Sequence, residues 1–232
     1  MTAKEKMNSN RKTAIIVGVL FIIGTVAGVL SGLFLGLFLD DPGYLIRVSA
    51  NENQIILGAL FVLIMAFALA MIPVVMFPIS KKHNETLALG YVVFRGALET
   101  FTYIATVIIW LLLIPLSQEY VKAGIPDASY FQALGTLLLE AADSIDLVLT
   151  IVFSLGALMF YYLLYQSKLI PRWLSVWGLI GATLVLAVGL LGMFDLDLEI
   201  LWAPLALNEM VLAVWLIAKG FNPSAIVSEA AK

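Results

Sequence analysis

The sequence predicts an all-α integral membrane bundle of six transmembrane helices, and three observations carry that expectation. The chain of 232 residues is 62% hydrophobic and 12% charged, with a mean hydropathy of +1.03, whereas soluble domains are about half apolar and about a quarter charged. Its apolar residues gather into stretches long enough to cross the hydrocarbon, which takes about 20 residues at 1.5 Å each. Short charged or proline-containing connections separate the stretches. β-Barrel strands would be shorter and would alternate polar with apolar residues.

The first span, 13–39, follows the basic segment MTAKEKMNSNRK. Its apolar run is longer than a signal peptide's and no A-x-A-like cleavage site precedes Asp40 and Asp41, so an uncleaved span is expected. The second, 54–79, contains Pro73, which lacks an amide donor and should kink the helix. The third is 87–116. The fourth, 145–166, follows a proline-free stretch, and a continuous helix from Ser129 to Gln166 would measure about 57 Å, well beyond a bilayer. Either that helix projects outside or it is broken, and residues 129–142 are expected to form an external or interfacial helical section leading into the membrane near Asp143. Spans 173–194 and 201–219 complete one domain, 13–219, between cytoplasmic segments 1–12 and 220–232. No residue-level similarity between the halves indicates an inverted repeat.

Orientation follows from the basic residues. Lys4, Lys6, Arg11, Lys12, Lys81, Lys82, Lys168, Arg172, Lys219 and Lys232 all fall on one side of a six-span chain, and the opposite loops hold Arg47 and Lys122. The positive-inside rule then makes both termini cytoplasmic. Acids gather outside, at Asp40, Asp41, Glu52, Glu119, Asp127, Asp195, Asp197 and Glu199. Tyr161, Tyr162, Tyr165, Trp173, Trp177 and Trp215 read as an inner aromatic belt, and Trp110 and Trp202 as outer anchors.

Gly24, Gly28, Gly32 and Gly36 recur every fourth residue of the first span, so they form a face on which another helix can pack closely. Another span of the same chain, or a second copy in a homo-oligomer, would satisfy it. A bulky residue at Gly32 is expected to harm folding more than one at Gly18, which lies off that set. Gly178, Gly181, Gly189 and Gly192 repeat the theme less regularly in the fifth span.

The third span carries charge. Steps of three or four residues place Tyr91, Arg95, Glu99, Thr102 and Thr106 on one stripe, opposite the apolar Val93, Ala97, Ile104, Ile108 and Leu111. A charge at the centre of a membrane helix costs about 2.5 to 3.5 kcal/mol even on the mild insertion scale, so the stripe should face protein or water. Counting from the inner ends of their spans, Arg95 and Glu209 lie within about 3 Å of the same depth, and Glu99 lies about 6 Å farther in. A bridge among Arg95, Glu99 and Glu209 is expected, with Asn208 beside it. Two acids against one guanidinium is the composition of a proton or cation site; it is equally that of an inter-helix bridge serving packing alone.

A second stripe, Asp143, Asp146, Thr150 and Ser154 with Glu140 one turn earlier, marks either an acidic outer mouth continuous with the external carboxylates or a solvated helix end. Glu99 and Glu209 lie too deep to join it, so no carboxylate metal cage and no metal site is expected. The absence of cysteine removes disulfides, thiolate sites and thiol nucleophiles. The one histidine, His83, sits in the KKHNE loop, and no phosphate loop or nucleic-acid signature is present. Neither a catalytic residue nor a cofactor is implied.

Several longer stretches, RKTAIIVGVLFIIGTVAGVLSG, VSANENQIILGALF, KKHNETLALGYVVFR, SQEYVKAGIPDASYFQALGTLLLEA, SLGALMFYYLLYQSKLIPRWLSVWGLIGA and PLALNEMVLAVWLIAKGFNP, resemble the prokaryotic multi-pass membrane family catalogued as domain of unknown function 4386. The resemblance runs from Arg11 to about Pro223. It implies a polytopic membrane protein and brings no activity, substrate or site residue with it. The leading functional expectation is transport or sensing of a small cation or proton-coupled solute in the prokaryotic inner membrane. The other is a non-catalytic scaffold or partner-binding subunit. Beyond the lipid bilayer, no partner is specified and nucleic acid is excluded.

Overall fold

The computed structural model describes residues 3–39, 43–123, 128–196 and 198–227, and every regular element among them is a helix. Asp40, Asp41, Asp127, Asp197 and Lys232 lie outside the described residues. In chain order come α1 (Ala3–Leu39), α2 (Tyr44–Ala50), α3 (Glu52–Ser80), α4 (Glu85–Tyr91), a π-helical segment (Val92–Leu98), α5 (Glu99–Ala123), α6 (Ala128–Ser167), α7 (Arg172–Gly192), a 3-10 turn (Glu199–Trp202), α8 (Ala203–Ala218) and α9 (Pro223–Val227). Segments α4, π and α5 run on as one rod, so six helices are long and apolar enough to cross a membrane.

Neighbours along the chain are neighbours in space: α1 packs on α3, α3 on α5, α5 on α6, α6 on α7, α7 on α8, and α8 returns to α1. The six long helices thus close a ring, with the third rod opposite α8. Phe21, Ile72, Tyr91, Phe160, Tyr161 and Leu212 fill its interior, while Val29, Leu33, Phe67, Phe101, Ile180 and Val214 are exposed around its outside. Large apolar side chains all round the exterior suit lipid rather than water as the surrounding solvent.

One end is tied firmly. Arg11, at the start of the first apolar run, donates to the carbonyls of Leu216, Ile217 and Ala218 at 3.0, 2.6 and 3.2 Å. These are orphan acceptors at the end of α8, where a cation is also favoured by the helix dipole. Gly220 follows with a φ of 75° and sits so close to the guanidinium that a Cβ would meet its Nη1 at 2.9 Å. The amide of Asn222 then donates to Leu169 at 2.8 Å, tying the chain beyond α8 to the loop after α6.

The fourth long helix is unbroken. α6 runs 40 residues, so the helical section expected before the fourth span is an unbroken extension of that span. At that end it joins a satellite cluster around Leu35, Tyr44, Leu45, Val48 and Leu113, with Leu138 and Leu139 packed against it. Gln132 donates to the Tyr120 hydroxyl there at 3.1 Å. Pro73 and Pro78 both lie within α3.

The glycine face needs correction. Gly24 and Gly28 do adjoin α3, where an added Cβ would meet Leu69 at 2.6 Å and the Met65 sulfur at 2.8 Å. Gly32, however, has nothing within 4 Å of that position, and the surroundings of Gly36 lie outside the described residues. Gly18, off that set, is as tight as Gly24 and faces backbone, because its Cβ would stand 2.6 Å from the Ala213 carbonyl oxygen of α8. α1 packs on two neighbours, α3 and α8, so a single stripe could not describe it. In α7 all four glycines meet a neighbour: Gly178, Gly189 and Gly192 meet α6, and Gly181 meets the backbone of Leu205 in α8.

The order of tolerance therefore reverses. Gly18→Leu should lower the melting point in detergent, since overpacking against a backbone atom costs about 1–3 kcal/mol, while Gly32→Leu should melt as the parent does. A Gly32→Leu variant as unstable as Gly18→Leu would contradict the open position of Gly32.

Candidate functional site

The charged stretch of the third rod is not α-helical. VVFRGAL, Val92–Leu98, is a π-helix, and the Glu99 amide donates to the Phe94 carbonyl, five residues back. Such segments are rare and leave a widened turn. In an α-helix a step of four residues drifts by about 40°; the wider turn rotates less per residue and keeps Tyr91, Arg95 and Glu99 on the interior side. All three are buried.

Two neighbours frame this turn. On one side Gly96 lies 3.6 Å from the Pro73 ring and 3.7 Å from the Ala70 carbonyl, measured from where its Cβ would be. Pro73 removes an amide donor from α3 there. On the other side Gly156 of α6 faces the Arg95 backbone, and an added Cβ would meet the Phe94 Cβ at 3.2 Å and the Arg95 amide at 3.3 Å. The π-turn, Gly156 and Phe153 were not legible in the sequence as parts of this site. A glycine two residues after Ser154 on the α6 stripe is the nearest thing to a signal.

Arg95 is 3% exposed and reaches across the ring. Its Nη1 lies 3.3 Å from the Glu99 Oε1, and its Nη2 donates to the Glu209 Oε1 of α8 at 3.5 Å. The third face of the guanidinium covers the Phe153 ring of α6, 4.7 Å from its centroid. Glu99 is 1% exposed and neither of its oxygens accepts a hydrogen bond; the Arg95 Nε also lacks an acceptor. Glu209 retains 18% exposure. Among the described residues Arg95 is the cation at ion-pair distance from both acids, so the cluster carries a formal charge of −1.

The other expected members divide. Tyr91 lines the same interior with its ring stacked on Phe160, 4.6 Å between centroids. Thr102 and Thr106 turn their hydroxyls back to their own helix, donating to the carbonyls of Glu99 and Thr102 at 2.7 and 3.2 Å. Asn208 does not join: its side chain faces α7 and donates to the Leu174 carbonyl at 3.0 Å. Adjacent residues on a helix point about 100° apart, so Asn208 and Glu209 serve different neighbours.

The acidic mouth also has a different membership. Glu140 and Asp143 are exposed on α6. Asp146, also exposed, lines a cavity of about 320 Å³ with Thr150, Asp195, Glu199 and Trp202. Asp195 and Glu199 come from the α7–α8 connection, two of the external acids with which the mouth was expected to be continuous. Trp202 is not merely an interface anchor, because its ring stacks on Phe153 at 5.2 Å. Among the described residues no group of histidine and carboxylate side chains is arranged to hold a metal ion.

Comparison with known proteins gives one match. Residues 16–220 match the family described as Domain of unknown function (DUF4386). No curated protein and no solved structure matches the chain.

Removing the shared cation should be the costly change at this site. Arg95→Ala strands Glu99 in low dielectric, and breaking a buried pair costs about 3–5 kcal/mol. Glu209→Gln keeps an acceptor for Arg95 and leaves Glu99 to neutralise it, so its loss should stay within about 1 kcal/mol. Thermal melting of the two variants in detergent checks the difference, and equal loss would show that Glu99 alone does not suffice for Arg95.

Proposed function

The chain belongs to the family described as domain of unknown function 4386, and we propose that it transports or senses a small cation or proton-coupled solute through Arg95, Glu99 and Glu209. The observation that carries this reading is the charge imbalance of a buried cluster, two carboxylates on one guanidinium with both Glu99 oxygens free of hydrogen bonds. Arginine stays charged in proteins, so a proton or a monovalent cation is what completes neutrality. Ionisable groups inside a membrane bundle are expensive, and they characteristically mark ion pathways and proton relays.

The residues Arg11, Lys12, Lys81, Lys82, Lys168, Arg172 and Lys219 favour placing the Arg11 end in the cytoplasm of a prokaryotic cell, with the Asp195 end outside. The acids at the Asp195 end would then raise the local concentration of cations before the bilayer is crossed. The same Arg95 contacts also tie opposite walls of the ring together, which is what a scaffold would need.

Flux separates the two readings. In proteoliposomes driven by a pH gradient, the parent protein should move charge or protons and Glu209→Gln should lose at least tenfold while melting normally. Absence of flux in the parent, or equal flux in Glu209→Gln, would leave the cluster as a structural bridge.

Orientation has its own test, made clean by the lack of cysteine. Ser117 and Ser80 are buried and would not report, so the cysteines belong at Lys122 and Lys82, both exposed. Lys122→Cys should react with an impermeant reagent on intact cells and Lys82→Cys should not. The reverse pattern would invert the orientation.

A further inference from the structure

We propose that Phe153 and Trp202 form the closed gate between the acidic cavity and the buried Arg95 cluster. The inference deepens the cation reading, on which it rests for its ligand, a small inorganic or ammonium-type cation. Its geometry stands on its own. Trp202 walls the cavity that also holds Asp146 and Thr150. Phe153 follows Thr150 on α6 by three residues, about one turn. Its ring lies against the Trp202 ring, 5.2 Å between centroids with 21° between planes. The Arg95 guanidinium then covers Phe153 at 4.7 Å, and Glu99 and Glu209 flank it at 3.3 and 3.5 Å.

The succession is therefore cavity, indole, phenyl ring and the Arg95 cluster. Two rings are what separate the cavity from the guanidinium along this line. The Trp202 ring is partly buried against Phe153 and the edge of the core, so displacing it gives up apolar packing there. Trp202 ends the 3-10 turn Glu199–Trp202, none of whose residues is buried, and a segment with few buried contacts opens at low cost. Phe153, by contrast, is 5% exposed and belongs to the core. Trp202 is the ring able to swing, and Phe153 is the one that Arg95 holds.

The ring chemistry also sets selectivity. Aromatic faces carry negative potential and stabilise a passing cation. An anion would meet carboxylates first and ring faces second, both unfavourable.

A single cysteine in the cysteine-free chain tests the gate without any flux measurement. With Glu209→Cys as reporter, a methanethiosulfonate bearing a trimethylammonium group is added to either face of oriented membrane vesicles. The reporter should react slowly alone. It should react at least tenfold faster when combined with Phe153→Ala or with Trp202→Ala, and only from the face that carries Asp195. Leu137→Ala, an exposed position on the same α6, should leave the rate unchanged. Unaltered rates in both ring variants, or acceleration from the Arg11 face, would overturn the proposal. If Phe153→Ala fails to fold, Trp202→Ala decides alone, since Trp202 is only partly buried. Faster labelling alongside unchanged flux in Glu209→Gln would keep the gate and discard the transport reading.

Discussion

One guanidinium crosses the middle of the bundle, and much of the architecture follows from accommodating it. Arg95 stands on the third rod and Glu209 on the helix facing it across the ring. A charge in that position cannot be left alone, because desolvating it costs several kcal/mol. Glu99, Glu209 and the Phe153 ring surround it from three different helical segments. Separating any of those helices exposes a charge, so the site is also a constraint on how the walls can move.

The π-segment is the local solution to that constraint. An ordinary α-helix would drift Tyr91, Arg95 and Glu99 around the rod, and the wider turn keeps them inward. A wider turn needs room, and Gly156 of α6 supplies it where a side chain would strike Phe94 and Arg95. Gly96 performs the matching task toward α3, meeting that helix at Pro73, where its hydrogen-bond ladder is interrupted.

The parts of this arrangement that the sequence made legible are those governed by solvent. Long apolar runs must span a bilayer, a charge within them must face inward, and depth counted from the span ends brought Arg95 and Glu209 together. Those rules act on single helices. What they missed depends on a second helix: Gly18 is crowded by α8 and Gly32 is not, though both are glycines of one span. Asn208 faces α7 although its neighbour Glu209 faces Arg95. The π-turn has no period of its own in VVFRGAL, because seven residues are too few to distinguish two helical pitches.

The two ends of the ring are built to different stiffness. At one, Arg11 holds three carbonyls of α8, Asn222 is bonded to Leu169, and Trp173 meets both Trp177 and Trp215 at 6.4 Å. Freeing α8 there would release several hydrogen bonds together, and each carbonyl left unmade is expensive away from water. At the other end α8 is preceded by a 3-10 turn with no buried residue and by a cavity of about 320 Å³. Local opening follows the distribution of such contacts, so rearrangement is cheapest at the Asp195 end. Arg95 lies between these two regimes: its own helix is continuous from Glu85 to Ala123, and its partner Glu209 sits two turns into the helix whose far end is locked and whose near end is loose.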